Sequence, residues 1–239
     1  MPDEPFFVTL KNRGLIKISG KDRYAFLQGL ITNDIEKLET LPSIYACLLT
    51  PQGKFLHDFF ITENNNELLL DCEGGQRTED LAKRLTTYKI RANIEITTTP
   101  ENTVYSIFNS EHGIPDPRNS EIGNRSFEKP DCEEKPFETW DTRRITLTIP
   151  DGSRDMIIDK STLLESNIDK LNGIDFDKGC YIGQELTARM HYRGLAKKHL
   201  QTITENIRPF GEEMRDQNGK LIGEMRSSCG DIGIALLKI

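Results

Sequence analysis

Apolar and polar positions alternate with two different periods along this chain, and the order in which the periods occur predicts its elements. Gly14-Leu15-Ile16-Lys17-Ile18 alternates as a strand does, and Gly20 and Asp22 then open Arg23 to Ile31, where Ala25, Phe26 and Leu30 share one helical face. Ile44 to Thr50 and Phe55 to Thr62 are two β-rich runs on either side of Pro51-Gln52-Gly53-Lys54, which spells a hairpin. After the turn residues Asn64-Asn65-Asn66, Glu67 to Cys72 predicts a third strand. Gln76 to Lys89 repeats Leu81, Leu85 and Tyr88 at i, i+4, i+7 and predicts an amphipathic helix, and Ile94-Glu95-Ile96 alternates again.

Strands that follow one another directly, instead of alternating strictly with helices, favour an α+β layer over a doubly wound parallel sheet. Neither a G-x-G-x-x-G nor a G-x-x-x-x-G-K-[ST] stretch is present, which removes the sequence support for dinucleotide and P-loop sites. From His112 to Pro136 the chain turns to Pro, Asn, Asp, Glu and Gly, the composition of a long loop or a subdomain junction. Beyond Lys198, short apolar runs at Leu200 to Thr204, Leu221 to Met225 and Ile232 to Leu237 are broken by Pro209, Gly211, Asn218-Gly219 and Gly230. Such punctuation predicts a small β unit. The expected division is therefore 1–197 for the α+β region and 198–239 for a short C-terminal β domain.

Thirty-one basic and thirty-eight acidic residues leave a net charge of −7, which keeps the chain in solution and disfavours broad binding to nucleic acid. The opening MPDEPFFVTL lacks a cationic stretch ahead of an apolar run, and no window approaches the ~18 apolar residues of a spanning helix. A cytoplasmic or matrix-type compartment with no membrane contact is the default, and of the two the cytoplasm is the expectation. The five cysteines stand at wide spacings without a C-x-x-C or a Cys/His cluster, so neither a disulfide scaffold nor a metal site is expected. Cys47 and Cys72 lie within apolar runs and read as small buried hydrophobes.

Cys180 differs from them. In Lys178-Gly179-Cys180-Tyr181-Ile182-Gly183-Gln184-Glu185 two glycines bracket the cysteine and a helical pattern begins at about Gly183, with Glu185 placed four residues before Arg189 for an ion pair. A thiol ahead of a helix N-terminus with Lys178 nearby is favoured as thiolate, the form that attacks electrophiles and ligates soft metals. A loop cysteine that only shapes a turn fits the same spacing. Arg189, Arg193, Lys197 and Lys198 make the following stretch basic, as either a solvated helix face or a local site for a carboxylate or phosphate tail.

The K-G-C-Y-x-G-Q-E segment, followed by Ala188-Arg189 and Arg193-Gly194, resembles the signature of the YgfZ family, folate-binding proteins related to the glycine-cleavage T-protein (aminomethyltransferase). The resemblance extends through Phe26-Leu27-Gln28-Gly29 with Asn33-Asp34, Pro51-Gln52-Gly53-Lys54 with Asp58, Asp116-Pro117-Arg118 with Gly123 and Arg125, and the Arg144-Ile145 and Ile149-Pro150 stretch. It implies T-protein-like α+β subdomains around a central channel for tetrahydrofolate, with a small C-terminal β-barrel-like domain. It also implies a role in assembling or repairing iron–sulfur clusters in client enzymes, including those that modify tRNA, with iron–sulfur assembly proteins as partners and a cluster held at most transiently. Cys180 and Lys178 become the expected reactive residues. Asn33, Asp58, Arg118, Tyr181, Gln184, Glu185, Arg189 and Arg193 become the expected folate-binding set.

Two departures bear on the chemistry. Where the T-protein carries adjacent aspartates, this chain has His57-Asp58, and where the T-protein offers a glutamate to the pterin, the similar stretch here offers Thr146. A hydroxyl is a weaker partner than a carboxylate for the pterin N–H donors. His57, in a strand with Phe55 and Phe59 on its face, reads as a core residue, and Trp140 with Tyr24 or Phe127 reads as core or as a pterin stack. The readings in play are thus an assembly factor that uses Cys180, a folate-dependent one-carbon transferase, and a carrier whose single cysteine ligand needs thiolates from a partner.

Overall fold

The computed structural model describes residues 4–99 and 103–239. Its elements run β1 (Phe6–Leu10), β2 (Arg13–Ser19), α1 (Arg23–Gln28), β3 (Ile44–Leu49), β4 (Phe55–Asn64), β5 (Glu67–Glu73), α2 (Gln76–Tyr88), β6 (Glu95–Thr99), β7 (Val104–Phe108), β8 (Ile114–Pro115), β9 (Asn124–Ser126), β10 (Glu133–Lys135), α3 (Phe137–Thr146), α4 (Gln184–Arg193), β11 (Lys198–Ile203), β12 (Glu213–Arg215), β13 (Leu221–Cys229) and β14 (Ile232–Lys238). None of these helices is long and apolar enough to cross a membrane.

Three sheets carry the fold. The first, ordered β3-β4-β5-β2-β6, pairs antiparallel throughout. Every residue of β3 and the first eight of β4 are buried, because both faces of this sheet are covered and its strands have no solvent side to alternate with. On one face Ala46, Leu48, Phe59 and Ile61 pack with Leu81 and Leu85 of α2 and Leu27 of α1. On the other, Tyr45, Cys47, Leu49, Phe55 and Phe60 pack with Met156, Leu163 and Ile168. The β3–β4 turn closes through Thr50 N–H donating to Lys54 O at 2.8 Å, with Gly53 at a φ of 77°. Tyr88, expected on the apolar face of α2, is 37 % exposed.

The second sheet is ordered β10-β1-β7-β9-β8, with β1 parallel to β10 and the other pairs antiparallel. It takes three short strands from the 112–136 stretch that reads as a loop, because their partners are distant in sequence and their local pattern is polar. Helix α3 packs on β1 at one side and on β13 and β14 at the other. The third sheet, β11-β14-β13-β12, is antiparallel with β11 and β12 at its edges, and it meets the body where Leu200 and Ile234 pack on Ile145.

Candidate functional site

The K-G-C-Y-x-G-Q-E segment forms a loop laid alongside residues 28–35, and the contacts between them explain why both stretches have the residues they have. Asp175 Oδ1 accepts from the backbone N–H groups of Asp177 and Lys178 at 2.8 and 2.9 Å, a local turn that aims the lysine inward. Lys178 Nζ then donates to three carbonyls, Gln28 O at 2.9 Å, Ile31 O at 2.8 Å and Asn33 O at 2.6 Å. All three ammonium protons have acceptors. Burial pulls the Lys178 pKa down to about 8, even though Asp34 and Asp175 favour the cation. The N–H of Ile182 donates to Gly29 O at 3.2 Å and that of Asp175 to Thr32 O at 3.0 Å, so the loop is tied down on both sides of Cys180.

Cys180 itself is exposed, at the crest between these ties. Its helix starts where the sequence pattern places it, at Gln184 with Gly183 as a left-handed N-cap. Two details bear on the thiolate reading. The Lys178 ammonium, read as a charge next to the thiol, is committed to backbone carbonyls. No helix N–H donates to the sulfur among the described residues. Tyr181 and Gln184 serve the loop, with Tyr181 N–H donating to Gln184 Oε1 at 3.1 Å and the Lys178 ammonium 5.3 Å from the Tyr181 ring centroid. Glu185 and Arg189 form the expected exposed ion pair, and Arg193 is exposed beyond them.

The β3–β4 turn is fitted against the start of α4. A Cβ on Gly53 would lie 2.7 Å from Leu186 Cβ and 2.8 Å from Gly183 O, and a Cβ on Gly183 would lie 2.4 Å from Thr50 O. Both positions also have positive φ, so glycine is required twice over at this crossing.

Behind this loop, on the Phe60 side of the first sheet, the interior is charged. Asp71 accepts from Arg13 Nε at 2.7 Å through one oxygen and from Arg125 through the other, while Asp116 pairs with Arg118 at 2.8 Å and with Arg125 at 3.4 Å. The guanidinium carbons of Arg13, Arg118 and Arg125 lie 5.4, 4.6 and 3.9 Å from the Phe60 ring centroid. Burial works against the Asp116 anion, but Arg118 and Arg125 hold its pKa below the ordinary value. Asp58 lies beside this network. Its Oδ2 accepts from Tyr45 OH at 2.9 Å and its Oδ1 has no hydrogen-bond partner among the described residues, and burial raises its pKa.

Of the expected folate set, Asp58 and Arg118 are therefore 2 % and 5 % exposed and belong to this closed centre. Asn33 is the member that lines a cleft, one of about 460 Å3 walled by Leu41, Pro42, Ile44, Pro115 and Pro117. Both of its amide ends are engaged, donating to Tyr45 O and Asn172 O and accepting from Asp34 N–H and Lys37 Nζ. The cleft also contains Ser43, whose buried Oγ has no partner among the described residues. Sequence reasoning missed Ser43, as it missed the roles of Arg13, Tyr45 and Asp71. For Arg13 and Asp71, charged residues at inward strand positions were the available signal.

The remaining readings divide. Trp140 is 2 % exposed and packs on Phe137 at 5.4 Å in the core with Val8 and Leu10, as its core reading expects, with Phe127 packed on the same cluster, while Tyr24 packs on the first-sheet core and its hydroxyl donates to Glu63. Thr146 is exposed, its hydroxyl donating to Thr142 O at 2.9 Å, so it does not face the interior. His57 is in the core as expected, but a bulge in the β3–β4 pairing turns Phe55 to the opposite face, with Phe60. His57 Nε2 meets Asp80 of α2 at 2.8 Å, yet burial, with Arg77 nearby, pulls its pKa down to about 4 and keeps the ring neutral at pH 7.

With this geometry in hand, comparisons with known proteins assign the chain. No model of a known protein family matches it. The human mitochondrial iron–sulfur cluster assembly factor IBA57 is 30 % identical over 279 residues, covering 95 % of this chain and 76 % of that protein. The chain belongs to the IBA57 family. Two fungal members agree: the Coccidioides immitis IBA57 homologue is 31 % identical over all of this chain and 72 % of its own length, and that of Neurospora crassa is 32 % identical over 80 % of this chain and 52 % of its own length. These IBA57 relatives are mitochondrial proteins, which overturns the cytoplasmic expectation in favour of the mitochondrion. The family named is IBA57, where the motifs pointed to YgfZ. In fold, the chain matches the glycine cleavage system aminomethyltransferase T from Bartonella henselae with a TM-score of 0.76 over 98 % of this chain and 78 % of that one, at 14 % identity, so the T-protein architecture expected from the motifs is present.

Proposed function

We propose that this chain supports the assembly or repair of iron–sulfur clusters on client enzymes, including ones that modify tRNA, and that Cys180 is the residue through which it does so. The observation that carries this reading is an exposed thiol on a loop pinned from beneath by Lys178 and tied on both sides to residues 29 and 32. A pinned loop presents a sulfur at a fixed height to a partner surface. One thiol is too few for a cluster, so the cluster is cargo whose other ligands come from a partner assembly protein. In cells lacking the endogenous protein, Cys180→Ser is expected to fold normally and to leave iron–sulfur enzyme activities unrestored. Full restoration by that variant would overturn the proposal.

A reduced folate is the small ligand we assign to the cleft beside Asn33. A volume of about 460 Å3, apolar walls and the orphaned Ser43 hydroxyl suit a flat heterocycle with one hydrogen-bonding edge. Ser43 and the wall residues would hold it. Aminomethyl transfer is not supported, because the remaining acid, Asp58, lies in the closed centre and His57 faces Asp80 on the other side of the sheet. Titration of tetrahydrofolate into the wild type, Ser43→Ala and Cys180→Ala separates the two sites: Ser43→Ala is expected to weaken binding and Cys180→Ala to leave it unchanged. Absence of saturable binding to the wild type removes the folate assignment and leaves the role of Cys180 standing.

A further inference from the structure

The seam between the turn at Gly152–Arg154 and the C-terminal sheet contains a pocket of about 380 Å3 lined by Ser153, Arg154, Phe210, Arg226, Ser227 and Ser228. Its lining has two guanidiniums, three hydroxyls, one aromatic ring and no carboxylate. Arg226, on β13, has a side chain only 3 % exposed, and its Nη1 donates to Glu224 Oε1 at 2.6 Å and to Met225 O at 3.1 Å. The other edge of the same guanidinium is unused: Nε is buried with no partner, and Nη2 makes no hydrogen bond among the described residues. Nε–H and one Nη2–H point the same way and form a fork that fits two oxygens of one oxyanion. A buried charged donor without an acceptor is costly, and an anion in the pocket removes that cost.

Arg154 plays a different part there. Its Nη1 and Nη2 are both taken by Asp141 and Asp151, so it forms a fixed wall, while the Nε–Nη2 edge of Arg226 has no acceptor among the described residues. Phe210 is 54 % exposed, and its ring centroid lies 5.8 Å from the Arg226 guanidinium carbon, which leaves a flat apolar face beside the fork. Arg226 also borders a smaller cavity of about 200 Å3, where Asp155, Glu165 and Glu224 are balanced by Lys160, Lys198 and Arg226, and where the Glu224 carboxylate already takes the Arg226 Nη1 donor. We propose that the Arg226–Phe210 pocket binds a phosphate monoester that carries a planar ring, with the phosphate on the Arg226 fork and the exposed Ser228 hydroxyl and the ring against Phe210.

Calorimetric titration of the full chain tests this with adenosine monophosphate as the ring-bearing probe and ribose 5-phosphate as the ringless one. Saturable binding of adenosine monophosphate is expected, about 2- to 10-fold tighter than that of ribose 5-phosphate. Arg226→Lys keeps the charge and loses the fork, and is expected to weaken binding about 10-fold. Phe210→Ala and Ser228→Ala change exposed positions and test the pocket even if Arg226→Lys does not fold. Phe210→Ala is expected to abolish the difference between the two probes. No saturable binding of adenosine monophosphate at millimolar concentration, or binding indifferent to all three substitutions, would overturn the proposal.

Discussion

The charged centre and the Cys180 loop solve opposite problems with the same kinds of group. In the centre, Arg13, Asp71, Arg125, Asp116 and Arg118 satisfy one another, and the site is sealed. In the loop, a single ammonium is satisfied by carbonyls of the main chain, which carry no net charge, and a thiol is left outside. Paired buried ions give a fold a defined interior with little left over for a ligand, whereas a cation spent on backbone shapes a segment without neutralising any side chain. The T-protein architecture is thus present here around a closed charged centre, with the Cys180 thiol exposed at the surface.

The sharpest way to break this contrast is at Asp71. Asp71→Ala leaves Arg13 and Arg125 buried without their shared partner, and a loss of about 3–5 kcal/mol is expected from urea unfolding. A loss below about 1 kcal/mol would mean that water reaches the centre. Next comes His57. Because its pKa falls from 6.5 unfolded to about 4 folded, the unfolded chain binds the proton first as pH drops, so stability is full above 6.5 and is lost on acidification towards 4. The upper limit of that loss is about 3 kcal/mol, and His57→Gln should flatten the profile over this window. A wild-type profile already flat there would contradict the neutral buried ring.

On the loop side, Lys178→Met removes the donor from three carbonyls, and a cost of about 1–3 kcal/mol is expected together with faster amide exchange at Asp175 and Ile182. Unchanged exchange would show that the loop holds its shape without the lysine. The smallest effect belongs to Cys180→Ser, within about 0.5 kcal/mol of the wild type. That near-neutrality in stability, set against the loss of function proposed for it, is what separates a presenting loop from a structural one.

The first sheet was legible because its signals are local. A Pro-Gln-Gly-Lys turn between two β-rich runs, and leucines at helical spacing in α2, need nothing distant to be read. The second sheet was not, since β1 pairs with strands about a hundred residues or more away and the short strands β8 to β10 carry no alternation of their own. Helix α3 was hidden for another reason. Asp141 and Arg144 are buried in it beside Trp140 and Ile145, with Arg144 bonded to Asp141, Asp155 and Ser227, so charges interrupt the apolar positions of its inward side. The cysteine motif was visible as a motif, but what Lys178 does was not, because its acceptors are main-chain atoms that no side-chain pattern encodes.

The crossing of Gly53 and Gly183 has a practical consequence for anyone wishing to transplant the sulfur-bearing segment into another protein. Since the hairpin tip occupies the space into which the helix start would otherwise shift, residues 173–190 are not a portable cassette: the hairpin, the 28–35 stretch and the segment itself must travel together, as a mould travels with its casting.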